Sequence, residues 1–142
     1  MKSTSTFLLG LALTGFISTA AFADDLEKLA GKWSANKTNP EGRKYTQTIE
    51  ITKNKLTFKI VGEDQAVRLY AEGTVKVEKL GPFNVMKLTD IKGGASEADL
   101  SPVDDDRTLV YQLGYDSWTV ASNFDKERDQ APSLDVYKKV AK

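Results

Sequence analysis

Leu26-Glu-Lys-Leu-Ala-Gly-Lys-Trp33 is the stretch whose reading decides the fold. It predicts a single short helical turn that breaks at Gly31 and launches Trp33 into a strand. A turn of this kind, followed at once by strands, is how a small barrel is plugged at one end. Gly31 and Trp33 are therefore structural candidates, Gly31 for the break and Trp33 for the plug.

Downstream, alternation dominates. Residues 31–36 read as a first strand, ended by the turn cluster Asn39-Pro40-Glu41-Gly42. Residues 43–52 set Tyr45, Gln47, Ile49 and Ile51 on one face and threonines with Glu50 on the other. This period of two, rich in β-branched residues, marks a half-buried strand. Lys53-Asn54 turns the chain into 56–61, where Leu56, Phe58 and Ile60 share a face, so the two strands form an antiparallel hairpin.

The longest alternation comes next. Val67, Leu69, Ala71, Gly73, Val75 and Val77 oppose Arg68, Tyr70, Glu72 and Thr74, and Gly73 in the middle marks a bulge or bend. Residues 83–91 return after Gly81-Pro82. A loop of Gly, Ser, Pro and acidic residues spans 93–106. A hairpin follows (108–113 with 117–124), then a polar connector, and residues 134–140 form the last strand. About eight strands joined by short turns predict one all-β domain, an up-and-down antiparallel β-barrel whose closure removes the sheet edges.

Upstream lies a different kind of segment. Lys2 precedes an apolar run from Phe7 to Phe22, and Ala21-Phe22-Ala23 places small residues before the acidic pair Asp24-Asp25. This is the pattern of a cleavable secretory signal, so residues 1–23 are expected to be removed and 24–142 to form the barrel domain, secreted or periplasmic. The run is too short and wrongly flanked for a retained membrane span, and no later stretch is long and apolar enough to supply one.

Composition narrows the chemistry. The chain has 20 Lys+Arg against 20 Asp+Glu, interspersed, with no basic patch for nucleic acid. It has no cysteine and no histidine. That removes disulfides, thiol nucleophiles, Ser-His-Asp triads and nearly all zinc sites. No cofactor is expected, and no metal. The acidic set Glu97, Asp99, Asp104, Asp105 and Asp106 supplies oxygen ligands of the type calcium takes, but its spacing fits no calcium loop and reads as a solvated loop. Glu63-Asp64 and the run 125–129 read as turn and connector charges, with nothing to pair them as an acid and a base. Asn36-Lys37-Thr38 matches a glycosylation sequon and reads more simply as a polar strand end.

Leu29-Ala-Gly-Lys-Trp33, Tyr111-Gln-Leu near the strand bearing Trp118, and Pro132 before the closing Leu134-Asp-Val-Tyr-Lys-Lys139 together resemble a family of small secreted bacterial lipocalin-like domains, of planctomycete type, within the lipocalin superfamily. The resemblance implies a carrier-type barrel. In lipocalins proper a closing arginine stacks on the motif tryptophan. The counterpart here would be Lys138 or Lys139, and Lys138, which shares the face of Leu134, Val136 and Val140, is the better candidate over Trp33.

Strand parity brings Tyr45, Ile49, Phe58, Ile60, Leu69, Tyr111, Trp118 and Val136 indoors, as the candidate lining of a cup for a small apolar or amphipathic ligand. Enzyme activity is not expected, because only carboxylates, tyrosines and lysines remain to perform it. The alternative is a solid barrel whose large side chains fill the interior, a structural or protein-interaction domain without a small-molecule ligand.

Overall fold

A computed structural model describes residues 20–142, with side chains of the first helix described from Asp25 on. Residues 1–19 of the expected signal segment lie outside the described part. The helix α1 (Ala20–Leu29) is longer than a single turn and takes in the backbone of Ala21-Phe22-Ala23. It ends where Ala30 N–H donates to Leu26 O at 3.0 Å, and Gly31 follows with φ +112°, a conformation that a side chain would strain.

The rest is antiparallel sheet, as the alternation predicts. The strands are β1 (Gly31–Thr38), β2 (Lys44–Thr52), β3 (Lys55–Gly62), β4 (Val67–Leu80), β5 (Phe83–Gly94), the two-residue β6 (Ser101–Pro102), β7 (Arg107–Leu113), β8 (Ser117–Ser122) and β9 (Ser133–Lys139). Each long strand pairs with its neighbours in the chain, β5 pairs with both β4 and β7, and β9 returns to β1. Eight strands thus close into an up-and-down barrel, with β6 an extra strand on β5. At Gly73 the β4–β5 register shifts, and a Cβ there would meet Thr89 O at 3.1 Å, so the bend depends on glycine.

Facing residues form rows across β1, β2, β3 and β4. Gly31, Ile51, Leu56 and Gly73 make the first row, and Trp33, Ile49, Phe58 and Ala71 the second. On the opposite wall Met86, Leu109, Tyr111, Trp118, Val120 and Tyr137 complete the core. Trp118 stacks edge-on against Trp33 with centroids 5.8 Å apart, and lies 5.7 Å from Tyr137. Leu29 from α1 is fully buried beneath them, and the Trp33 indole N–H donates to Leu29 O at 2.8 Å. Trp33 is therefore a plug held to the helix end it follows, and it satisfies a carbonyl that the helix leaves open. From the other wall, Tyr111 O–H donates to Asp25 Oδ2 at 3.0 Å.

The last strand presents the face opposite to the expected one. Leu134 and Val136 point outward, 69% and 51% exposed, while Asp135 and Tyr137 point inward. Leu134 and Val136 make the more apolar face of Leu-Asp-Val-Tyr, but the Tyr137 ring takes the interior, where it meets Trp118 and donates its O–H to Gln47 Oε1 at 3.0 Å. Lys138 is consequently outside, 3.8 Å from Asp116. Lys139, not Lys138, lies over Trp33, its ammonium 5.1 Å from the ring centroid. One buried ring lies outside the barrel: Tyr70 is on the outer face of β4, with the Lys59 ammonium 5.3 Å from its centroid.

Candidate functional site: the mouth of the barrel

The interior changes character above the Trp33 row. The next row is Ala35, Gln47, Ile60 and Leu69, and the one beyond it Lys37, Tyr45 and Gly62. On β9 the inward positions run from Tyr137 to Asp135 and Ser133. An apolar, filled lower half thus gives way to a polar upper half that opens as a cleft of about 980 Å³. The helix plugs the opposite end, so the barrel has one mouth in the described chain.

Specific pairs organise this mouth. Lys37 Nζ from β1 donates to Asp135 Oδ1 from β9, both largely shielded from solvent. The pair spans a seam that is only half closed: β1 and β9 are in register at Trp33 with Lys139 and at Ser34 with Lys138, the Val140 N–H donates to Lys32 O at 2.9 Å just below, and the ladder goes no higher than Ser34. Above Ser34 the strands part, and a side-chain bridge takes the place of the ladder. Across the cleft, the Arg68 and Asp64 side chains pair above Gly62, where a Cβ would meet Asp64 Oδ1 at 2.7 Å. Burial first, then the Asp135 carboxylate, raises the Tyr137 phenol above its ordinary range.

A second cluster holds one wall of the mouth. The connector at 123–132, between β8 and β9, is tied to the start of β7 through Arg128, whose side chain is 7% exposed. Its guanidinium donates to Asp125 (3.0 Å to each carboxylate oxygen) and to Asp105 Oδ1 at 2.6 Å. Lys126 and Arg107 also reach Asp105, each at 2.8 Å. Thr108 N–H donates to Asp125 Oδ2 at 2.9 Å. Lys126 and Arg128 hold the Asp105 carboxyl well below the usual carboxylate range, and Arg128 lowers that of Asp125. Asn123 and Gln130 from this connector face the cleft.

The sequence-predicted residues divide by depth. Tyr45 and Ile60 line the cleft, and Leu69 faces inward at its edge, still 38% exposed. Ile49, Tyr111 and Trp118 are buried in the filled half, with Phe58 packed against it. Val136 is outside. Lys37, Gln47, Asp135, Asn123 and Gln130 were not anticipated as lining. Continuing the alternation of Trp33 and Ala35 by one step would have found Lys37. Stepping back from Tyr137 would have found Asp135.

Other sequence candidates fall elsewhere. Asn36 is on the outer face and accepts from Thr46 Oγ1 at 3.1 Å. Asp105 is taken up by its three cations, and among the described residues no three Asp or Glu side chains converge to hold a metal ion. The cleft offers hydrogen-bond donors, acceptors and one aromatic ring. Compared with family models, curated proteins and solved structures, the chain matches none.

Proposed function

We propose that this protein is an exported, non-enzymatic, lipocalin-like binding protein that holds a small amphipathic molecule in the mouth of its barrel. The observation that carries the reading is the 980 Å³ cleft above a filled and plugged lower half, a volume within the range of small-molecule sites. Tyr45 and Ile60 supply an apolar surface, and Lys37, Gln47 and Asp135 supply polar groups beside it. Such a mixture suits an amphipathic ligand better than a purely apolar one, which would dehydrate those groups without replacing their hydrogen bonds. Export is supported by the signal pattern ending at Ala23, and an N-terminus beginning at Asp24 in protein recovered outside the cytoplasm is the expected result.

Native mass spectrometry of protein purified gently from its own host tests the binding reading. A reproducible mass excess, lost on solvent extraction and absent after Gln47→Ala, is expected. A bare mass, with no small molecule raising the thermal midpoint, would instead favour the solid-barrel alternative, a domain without a ligand.

A further inference from the structure

We propose that the mouth takes a neutral, hydroxyl-rich ligand, a short saccharide, an inference that rests on reading the cleft as a binding site. The argument begins with charge. Lys37 is already matched by Asp135, and Arg68 by Asp64. Arg43 at the rim faces Glu41 at 4.0 Å. An anion entering the cleft would compete with Glu63, Asp64 and Asp135, and a cation with Lys37, Arg43, Lys44 and Arg68. Lys44 and Glu63 make no ion pair among the described residues but are of opposite sign, so with Glu41 the charges of the mouth balance and a charged ligand gains little net Coulomb energy against its own desolvation.

Hydrogen-bonding capacity points the same way. A sugar hydroxyl both donates and accepts, and therefore needs mixed partners at close spacing. Gln47 Oε1 is taken by the Tyr137 hydroxyl, which leaves the Gln47 NH₂ as the free donor. The Lys37 ammonium spends one N–H on Asp135 Oδ1, while Asp135 Oδ2 receives only the Ser133 hydroxyl at 3.3 Å. Gln130 adds an amide with both functions from the connector. Donors and acceptors thus alternate around the cleft, held by their own pairings.

The apolar side fits as well. On the β3 side Tyr45 stands directly across from Gly62, which carries no side chain, and diagonal to Ile60; on the β1 side its cross-strand neighbour is Lys37. The C–H face of a pyranose is positively polarised and packs on the negative face of an aromatic ring. A ring seated against Tyr45 and Ile60 would present its equatorial hydroxyls to Gln47 and to the Lys37–Asp135 pair.

The test is a titration of the ¹⁵N-labelled protein followed by ¹H–¹⁵N correlation spectra. The probes are cellobiose, maltose and chitobiose, compared with citrate, lysine and laurate. Saturable shifts of the Lys37, Tyr45 and Gln47 amides and the Gln130 side-chain NH₂ are expected with at least one disaccharide. Gln130→Ala, a substitution on the exposed connector that leaves the core intact, should weaken that binding by about tenfold, the loss of one hydrogen-bonding side chain. Mouth signals moved only by citrate, lysine or laurate would overturn the saccharide assignment and leave the cleft a binding site. If no probe moved them, both readings would fall.

Discussion

The Lys139 ammonium lies 5.1 Å from the centroid of the Trp33 ring and donates to Lys28 O at 3.4 Å. One side chain from the last strand thus covers the plug and meets the end of the helix before it, at the terminus where a positive charge is favoured. Lys139→Gln should lower stability by about 0.5–1 kcal/mol. Lys138→Gln, one residue away on the outer face, should stay within about 0.5 kcal/mol of wild type. Urea denaturation midpoints of the two variants check the contrast, and equal midpoints would remove the stacking role of Lys139.

Trp33→Ala removes a ring that is 1% exposed, packed against Trp118 and bonded to Leu29 O. A cost of about 3–5 kcal/mol is expected, the range for emptying a large aromatic site in a core. Trp33→Phe should recover most of the packing but not the bond to the helix end, and lie between the two. Thermal melts read the order; an unchanged midpoint for the alanine variant would sink the plug assignment.

Acid should loosen the wall of the mouth. The carboxyls of Asp105 and Asp125 are held below their unfolded range, so the stability they contribute is fully present above that range and is lost as pH falls through it towards the folded values. Loss is therefore expected to begin below about pH 5. Asp105→Asn should flatten this acid limb. Arg128→Ala, which removes the cation on Asp125 and one of the three on Asp105, should cost about 2 kcal/mol at neutral pH, between the values for exposed and buried pairs. The slope of stability against pH, measured for wild type and D105N, decides it. Parallel slopes would mean that the network does not couple protons to folding.

Base acts through the two core phenols. Burial raises both Tyr111 and Tyr137 above the ordinary phenol range, with Asp25 adding to the effect on Tyr111 and Asp135 to that on Tyr137. Their contribution is full below the unfolded value of about 10 and declines as pH rises above it. In a spectrophotometric titration at least two of the five tyrosines should stay protonated beyond that point until the fold gives way. Ionisation of all five along one ordinary curve, with the fold intact, would contradict the burial of these two rings.

Much of the barrel is legible in the sequence because β2, β3 and β4 alternate over long spans, and the apolar side chains mark the inner face with Tyr70 of β4, among the described residues, the one large buried ring outside it. The mouth is not, for local reasons. Lys37 lies one step past the expected end of the first strand at residue 36, and its charge argues for an outside position until Asp135 is known to face it. Asp135 was hidden by the apolar face of Leu134 and Val136. That ambiguity in a short strand is resolved only by where Tyr137 finds Trp118 and Gln47. Arg128 and Asp105 are 23 residues apart, each in a segment that reads as solvated charge. Nothing in either segment names its partner. Pairings across loops are set by the closure of the barrel, a property of the whole chain.

The half-closed seam also bears on how the chain reaches its structure. Every other wall of the barrel is made by long strands that follow one another in the chain, apart from the short β6 between β5 and β7, and these pairings close short loops. The joint at Trp33 and Ser34 with Lys139 and Lys138 instead links the beginning of the barrel to its end. Until β9 is in place, the meander is a curled sheet with bare edges on β1 and β8, a template for pairing with another chain. The ring closes last, and it does so through one of the shortest ladders in the molecule. Loss of residues 138–142 would therefore leave a sheet, with an aggregation-prone edge, in place of the barrel.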